Sequence, residues 1–318
     1  MNGNELLRYG LDIIAFIQQM RSPVADTIFR GGTLLGQEVF YLLALPILLW
    51  CGDLRLGVRL SFVVMVSHYI NISLKDILAQ PRPFAFRPEL QLFPVDGYSL
   101  PSNHAQTGLV FWLGLAKLAP QRYLWPLGIV IAGLIGFSRI YLGVHFPSDV
   151  LAGWVLGLVL LIGSGLAEPL LVNWLGRLKT WQQALLALMG PALLFWLHPG
   201  KDSAAIVAAL SGAGIGLIIA RRCAGAGAGV PQGEWAKLSG RMVVGFTGLL
   251  LIWAGLKVVF PQEEHACFLL FRYIRYWLAG LWLTLGAPWL FNLLGLAPAG
   301  IDRIKPKKNI LDITKSIR

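Results

Sequence analysis

Charge is what this sequence has least of. Only 14% of its 318 residues are Asp, Glu, Lys or Arg, against roughly 25% in a soluble domain. Acidic residues are the scarcer sign, 16 against 27 basic, which leaves a net charge of +11. Cysteine is scarce too: Cys51, Cys223 and Cys267 lie far apart, form no metal-type spacing and read as free thiols. No short alternating apolar segments of the kind that build a membrane β-barrel are present. No basic domain is present either. The cations are scattered between apolar runs or gathered in the C-terminal tail, so the positive charge points to membrane orientation and anionic lipid, not to nucleic acid.

Long apolar runs are what the sequence has most of. Hydrophobic residues make up 56% of it, and its mean hydropathy is +0.65. Several runs approach the ~20 residues that a spanning helix needs. The class is therefore an all-α, polytopic integral membrane bundle. Residues 4–20 read as an interfacial amphipathic helix. Arg8 and Asp12 in that stretch, with no apolar core after a basic start, argue against a cleaved signal peptide. Spans are expected at about 31–51, 58–79, 104–119, 123–142, 147–171, 181–197, 203–220, 242–260 and 277–296. A basic connector, Asn173 to Thr180, divides the chain into 1–175 and 176–318. Low-complexity Ala-Gly sequence within 221–240 reads as a linker, and the tail from Asp302 is basic.

Three short polar clusters interrupt the apolar sequence between Lys75 and Asp149. The first is Lys75 with Arg82-Pro83. The second is Pro101-Ser102-Asn103-His104. The third is Ser138-Arg139, then His145, then Asp149. If the spans alternate, the positive-inside rule puts all three clusters on the outer face and the basic tail in the cytoplasm. In a bacterial inner membrane the outer face is periplasmic.

The clusters supply three cations, two histidines, a hydroxyl and one carboxylate. A phosphate monoester carries nearly two negative charges, so its transfer is mostly a matter of positioning and electrostatic stabilisation. Lys75, Arg82 and Arg139 can provide both. Ser102 adds a donor, and amides near Asn103 and His104 would face an anion if a helix begins there. Asp149 lies one helical turn beyond His145 and can fix its tautomer.

The order and intervals of these clusters, Lys75-x6-Arg82-Pro83, Pro101-Ser102-Asn103-His104 and Ser138-Arg139-x5-His145-x3-Asp149, resemble the three motifs of the type 2 phosphatidic acid phosphatase family. That family belongs with the vanadium haloperoxidases and bacterial acid phosphatases. The resemblance covers about residues 30–170. It implies a six-helix phosphatase core within 1–175, a phosphohistidine at His145, and His104 as general acid and then base. It also implies Lys75, Arg82, Ser102, Asn103 and Arg139 as the phosphate-binding set. The family's middle motif has Gly where this chain has Asn103, a residue that tolerates a left-handed backbone. No metal or other cofactor is expected, because the side chains already carry the cations and no ligand set is evident.

Several readings stay open at this level. The expected substrate is a lipid phosphate, with a polyprenyl diphosphate such as undecaprenyl diphosphate first. Phosphatidate, phosphatidylglycerol phosphate, lipid A phosphates and a soluble ester come after it. Transfer to an acceptor and a non-catalytic lipid-binding or transport protein are the alternatives. Protein partners and oligomeric state are not legible. Ser138 reads as structural. His68 reads as a packed, hydrogen-bonded histidine or as the lining of a substrate path. Glu263, Glu264 and His265 read as a solvated loop, and Trp125 and Tyr141 as interfacial anchors.

Overall fold

A computed structural model describes residues 3–222 and 235–296, and among them there is no strand. Much of the linker, the basic tail and Cys223 lie outside the described residues. Cys51 and Cys267 are free thiols. Among the described residues five helices are long and apolar enough to cross a membrane, or six if one bent pair counts as a single span. The chain is an integral membrane protein.

Two compact units make up the chain: Met1–Leu45 with Val58–Gly165, and Pro46–Gly57 with Leu166–Arg318. The two units part between Gly165 and Leu166.

The first unit begins with α1 (Gly3–Gln18) and α2 (Pro23–Leu34). Ser22 caps α2, its hydroxyl accepting the Ala25 N–H at 3.2 Å, and Pro23 supplies the preset first turn. The expected span at 31–51 is broken: α3 (Glu38–Cys51) starts after Gly36, bent 50° from α2. Gly36 has no room for a side chain, since a Cβ there would lie 2.6 Å from Ile135 and 3.2 Å from His104.

Helix α4 (Leu54–Leu78) ends at Ala79, whose φ of +46° is left-handed and stops the helix. A long loop comes next, with two 3₁₀ turns, Pro83–Ala85 and Pro88–Leu90. Helices α5 (Asn103–Leu118), α6 (Leu124–Tyr141) and α7 (Pro147–Arg177) complete the unit. Tyr141 is not the interfacial anchor expected. It is fully buried, its ring against Phe29 and its hydroxyl donating to Asp26 at 2.6 Å.

The close approach of α7 to the start of α5 brings the second and third polar clusters together. Gly153 and Gly157 face α5, and a Cβ at Gly153 would sit 2.7 Å from the Ser102 carbonyl oxygen. Small residues four apart let two helix backbones meet at this range.

In the second unit, α8 (Thr180–Leu197) and α9 (Lys201–Arg222) precede α10 (Trp235–Leu250). The last of these continues through a π-helical turn, Leu251–Gly255, into α11 (Leu256–Val259). The final apolar stretch starts earlier than expected, as α12 (Phe268–Leu281), and passes through a second π turn, Trp282–Gly286, into α13 (Ala287–Leu293). Gly212 and Gly280 let α9 and α12 pack backbone to backbone. Arg241 is buried and donates to the Trp50 carbonyl at 2.7 Å and to the Leu296 carbonyl at 2.9 Å.

Adding one methyl at Gly153 forces rigid backbone to move, so Gly153→Ala is expected to cost about 1–3 kcal/mol. Gly163→Ala on the same helix meets nothing within 4 Å and should be neutral. Thermal unfolding in detergent compares the two; equal melting temperatures would remove the close-contact account.

Candidate active site

The three polar clusters converge in the first unit. Their positions arise from local chain geometry. Pro147 starts α7, and Asp149 in its first turn accepts the Phe146 N–H at 2.8 Å. The carboxylate thus caps its own helix. The turn Leu142–Phe146 then presents His145 one turn earlier. Gly143 in that turn has φ +69°, and Leu142 accepts the Leu92 N–H at 3.0 Å, which ties the turn to the long loop. Ser102 caps α5, accepting from Ala105 N–H at 3.5 Å. Its own N–H donates to the Asp149 carbonyl at 3.0 Å.

Asp149 is fully buried, and His145 nearly so. Their ring–carboxylate distance, Nδ1 to Oδ2, is 3.4 Å. Two further residues complete the carboxylate's shell, and both were missed from the sequence. Ser99 donates its hydroxyl to Oδ2 at 2.5 Å, and Gln80 donates its amide to Oδ1 at 3.1 Å. Ser99 Oγ also lies 3.3 Å from His145 Nδ1. Ser99 had one faint sequence signal: it sits in the same loop as Ser102. Gln80 had none, since its approach depends on the left-handed turn at Ala79.

The other ring nitrogen settles the tautomer. Arg82 Nη1 lies 3.3 Å from His145 Nε2. A guanidinium can only donate, so Nε2 accepts and the proton resides on Nδ1. That proton faces both Asp149 Oδ2 and the Ser99 oxygen. Since the Ser99 hydroxyl proton is already given to Asp149, its oxygen is free to accept. Burial, then the charges of Lys75, Arg82 and Arg139 and of His104, hold the His145 imidazole well below its ordinary pKa of 6.5.

The cations are held by the protein as well as facing the histidines. Lys75 Nζ donates to the Tyr98 carbonyl at 2.6 Å. Arg82 donates from Nε to Gly97, from Nη2 to Asp96 and from Nη1 to Val144, all carbonyls at 2.8–2.9 Å. Arg139 donates from Nη1 to Thr33 at 2.5 Å, while its buried Nε has no hydrogen-bond partner among the described residues. The same holds for the buried Nε2 of His104. His104 lies within electrostatic reach of Arg139, Lys75 and Arg82. Buried polar groups are usually hydrogen-bonded, so two orphaned polar atoms in one cluster are unusual.

The remaining candidates divide. Asn103 opens α5 without a positive φ, so no left-handed turn is needed there. The Gly of the family motif is replaced without a backbone cost. Its side-chain oxygen accepts from Thr107 at 2.9 Å and lies 3.0 Å from His68 Nδ1. His68 Nε2 faces Glu38 at 3.5 Å, so His68 is a packed, hydrogen-bonded histidine. Ser138 donates to the Ile135 carbonyl at 2.6 Å, a structural bond. Among the described residues no group of three His, Cys, Asp or Glu side chains could hold a metal ion.

Comparison with known proteins sets this geometry in a family. The PAP2 superfamily profile matches residues 56–170. A second profile, the PAP2 superfamily phosphatase transmembrane extension, matches 204–299. Sphingosine-1-phosphate phosphatase 1 of Rattus norvegicus is 32% identical over 203 residues, which is 60% of this chain and 46% of the rat protein. An undecaprenyl-diphosphatase of Sulfolobus acidocaldarius is 39% identical over 109 residues, 32% of this chain and 50% of that one. This chain thus spans about half the length of these relatives. The crystal structure of a transmembrane PAP2-type phosphatidylglycerolphosphate phosphatase from Bacillus subtilis has a TM-score of 0.46 at 26% identity, covering 53% of this chain and 89% of that one. With the phosphatase profile lying over all three polar clusters and the transmembrane-extension profile over the second unit, this chain belongs to the PAP2 superfamily.

Proposed function

We propose that this protein is a membrane-embedded phosphatase that releases phosphate from a lipid through His145. The observation that carries the reading is the fixed Nδ1–H tautomer of a buried histidine, among three cations and beside a second histidine with an unpartnered nitrogen.

The steps use only the groups present. Nε2 of His145 attacks phosphorus as the bond from phosphorus to the lipid oxygen breaks. His104 passes a proton to that leaving oxygen. A water then gives a proton back to His104 and attacks the phosphohistidine, releasing inorganic phosphate and restoring Nε2. Lys75, Arg82 and Arg139 stabilise the charge on the equatorial oxygens. Arg139 still has its unpartnered Nε to offer. The Ser102 hydroxyl proton and the first amides of α5 add neutral donors. Asp149 and Ser99 stabilise the ring cation that forms when Nε2 is phosphorylated.

A lipid is the favoured substrate because the clusters stand at the ends of apolar helices, where a head group can enter while its chain stays in the bilayer. The two named relatives act on sphingosine 1-phosphate and undecaprenyl diphosphate. Both names describe a long-chain lipid with a terminal phosphate or diphosphate, which supports a polyprenyl diphosphate or a long-chain phosphate monoester here. The asymmetry of basic residues supports a site on the outer face, periplasmic if the membrane is a bacterial inner membrane.

Purified protein in nanodiscs is expected to release phosphate from undecaprenyl diphosphate or sphingosine 1-phosphate with EDTA present. His145→Ala should abolish release while keeping the melting temperature. Undiminished turnover by that variant would end the proposal. Glucose 6-phosphate and phosphatidate serve as the discriminating substrates.

The depressed pKa of His145 has a direction that can be tested. The neutral imidazole is the nucleophile, so a folded pKa below 6.5 keeps it active at neutral pH. The acid limb, where this nucleophile is protonated, sets in as pH falls through the lowered value. Lys75→Met removes one of the charges that depress it, so the acid limb of kcat/KM should move to higher pH. Comparing wild type and variant on one substrate cancels the substrate's own ionisation. An unmoved limb would contradict the electrostatic account.

Ser99→Ala should lower kcat about tenfold to a hundredfold, the size of one lost hydrogen bond to a charged group. KM should change little, and Ser99→Thr, which keeps the hydroxyl, should restore most of the rate. A loss in KM alone, or no rescue by Thr, would remove Ser99 from the histidine's support.

A further inference from the structure

The second unit contains a cavity of about 140 Å³ near the junction of α11 and α12. Its walls combine three cations, Lys257, Arg272 and Arg275, with the aromatic rings of Trp253, Phe268 and Tyr276. We infer that this cavity is a binding site for the phosphate group of an anionic phospholipid, formed by residues other than those of the catalytic clusters.

Charge is the first argument. Among the described residues Glu263 is the one acid in the lining, and it is paired with Lys201 outside it. Arg272 is partly answered, donating to the Lys201 carbonyl at 2.8 Å and to Asp202 at 3.4 Å. Lys257 and Arg275 meet no acid in the lining beyond the already paired Glu263. The cavity therefore carries net positive charge.

Arg275 is the second argument. It is only 7% exposed, lines the cavity, and its Nε is buried without a hydrogen-bond partner among the described residues. A buried guanidinium nitrogen left unpaired costs free energy unless a ligand completes it. Stacking holds the group in place: the Arg275 guanidinium lies 5.2 Å from the Tyr276 ring centroid, and that of Arg272 lies 5.3 Å from the same ring. Such planar, preset guanidinium groups suit phosphate oxygens.

Backbone form is the third. Trp253 lies in the π-helical turn Leu251–Gly255 and donates its indole N–H to the Tyr276 hydroxyl at 3.3 Å. Lys257 Nζ stands 5.8 Å from the Trp253 ring. π turns are rare and occur often at functional sites. Here the turn sets an aromatic wall beside the cations.

Size and surroundings select a lipid. The cavity is below the several hundred Å³ of a pocket that encloses a whole small molecule. It can take a head-group phosphate but not the rest of a phospholipid. Directly beside it in the chain, Val258 and Val259 are 84% and 78% exposed and Leu270 is 58% exposed. In a spanning protein this apolar surface is where acyl chains lie.

The test is binding of phosphatidylglycerol to the full chain in detergent, measured by native mass spectrometry, with phosphatidylcholine as the neutral comparison. Lys257→Gln changes a side chain on the cavity wall and should fold normally; Arg275→Gln removes the buried cation, with its melting temperature checked. Each variant is expected to weaken phosphatidylglycerol about tenfold, the scale of one charge-assisted contact. Phosphatidylcholine should bind weakly to all three proteins. If millimolar inorganic phosphate displaces the lipid from wild type but not from the residual binding of the variants, the site reads phosphate whatever carries it. Unchanged phosphatidylglycerol affinity in Lys257→Gln overturns the inference even if Arg275→Gln fails to fold. Phosphate release from the lipid substrate is measured alongside, so failure here is separable from failure of the catalytic reading.

Discussion

A buried carboxylate must be answered on every side, and Asp149 is the group whose needs organise the first unit. Moving an ionised carboxylate out of water costs several kcal/mol unless hydrogen bonds and opposite charge replace hydration. Asp149 gathers those replacements from distant parts of the chain: Gln80 past the end of α4, Ser99 from the long loop, and Phe146 and His145 from the turn before α7. Its main-chain carbonyl also takes the N–H of Ser102 at the start of α5. One residue thereby ties four segments together. Gly153 makes this possible by letting α7 come close enough to α5 for those bonds to form.

The cations carry a double duty. Arg82 uses three of its donor directions on the carbonyls of Asp96, Gly97 and Val144. It is a strut for the loop before it is a ligand for anything else. Lys75 does the same through Tyr98. Positive charge pinned by neutral carbonyls keeps its field and loses its freedom to swing. Groups fixed in this way need little rearrangement when negative charge develops near them, which is the basis of electrostatic preorganisation.

Residue types and intervals made much of this site legible. Lys75, Arg82, His104, Arg139, His145 and Asp149 all come together, and the four-residue step from His145 to Asp149 translates directly into a ring–carboxylate contact. The span expected from about 104 begins as α5 at Asn103, one residue earlier. What was hidden depends on contacts with no local signature. Gln80 and Ser99 are ordinary loop residues until a left-handed Ala79 and the docking of α7 bring them to Asp149. Thr33 reaches Arg139 only because α2 and α3 are separate helices, and a hydropathy window cannot see that break at Gly36. Tyr141 looked interfacial by type and position; its burial comes with the partner Asp26, which lies far away in sequence. The π turns in the second unit likewise arise from packing that the apolar pattern does not encode.

The arginine contact at His145 has a consequence for regiochemistry. An imidazole free in solution offers two nitrogens, and an electrophile can be captured at either one. Here Nδ1 is turned inward to the serine and the carboxylate, while Nε2 alone carries a lone pair, aimed toward the cationic end of the clusters. On the proposed histidine route, capture at this ring would take place at Nε2 and give one isomer. The arrangement also separates two properties that usually oppose each other. Burial and the neighbouring cations keep the ring weakly basic, while Nδ1 is backed by a carboxylate that would balance positive charge on the ring.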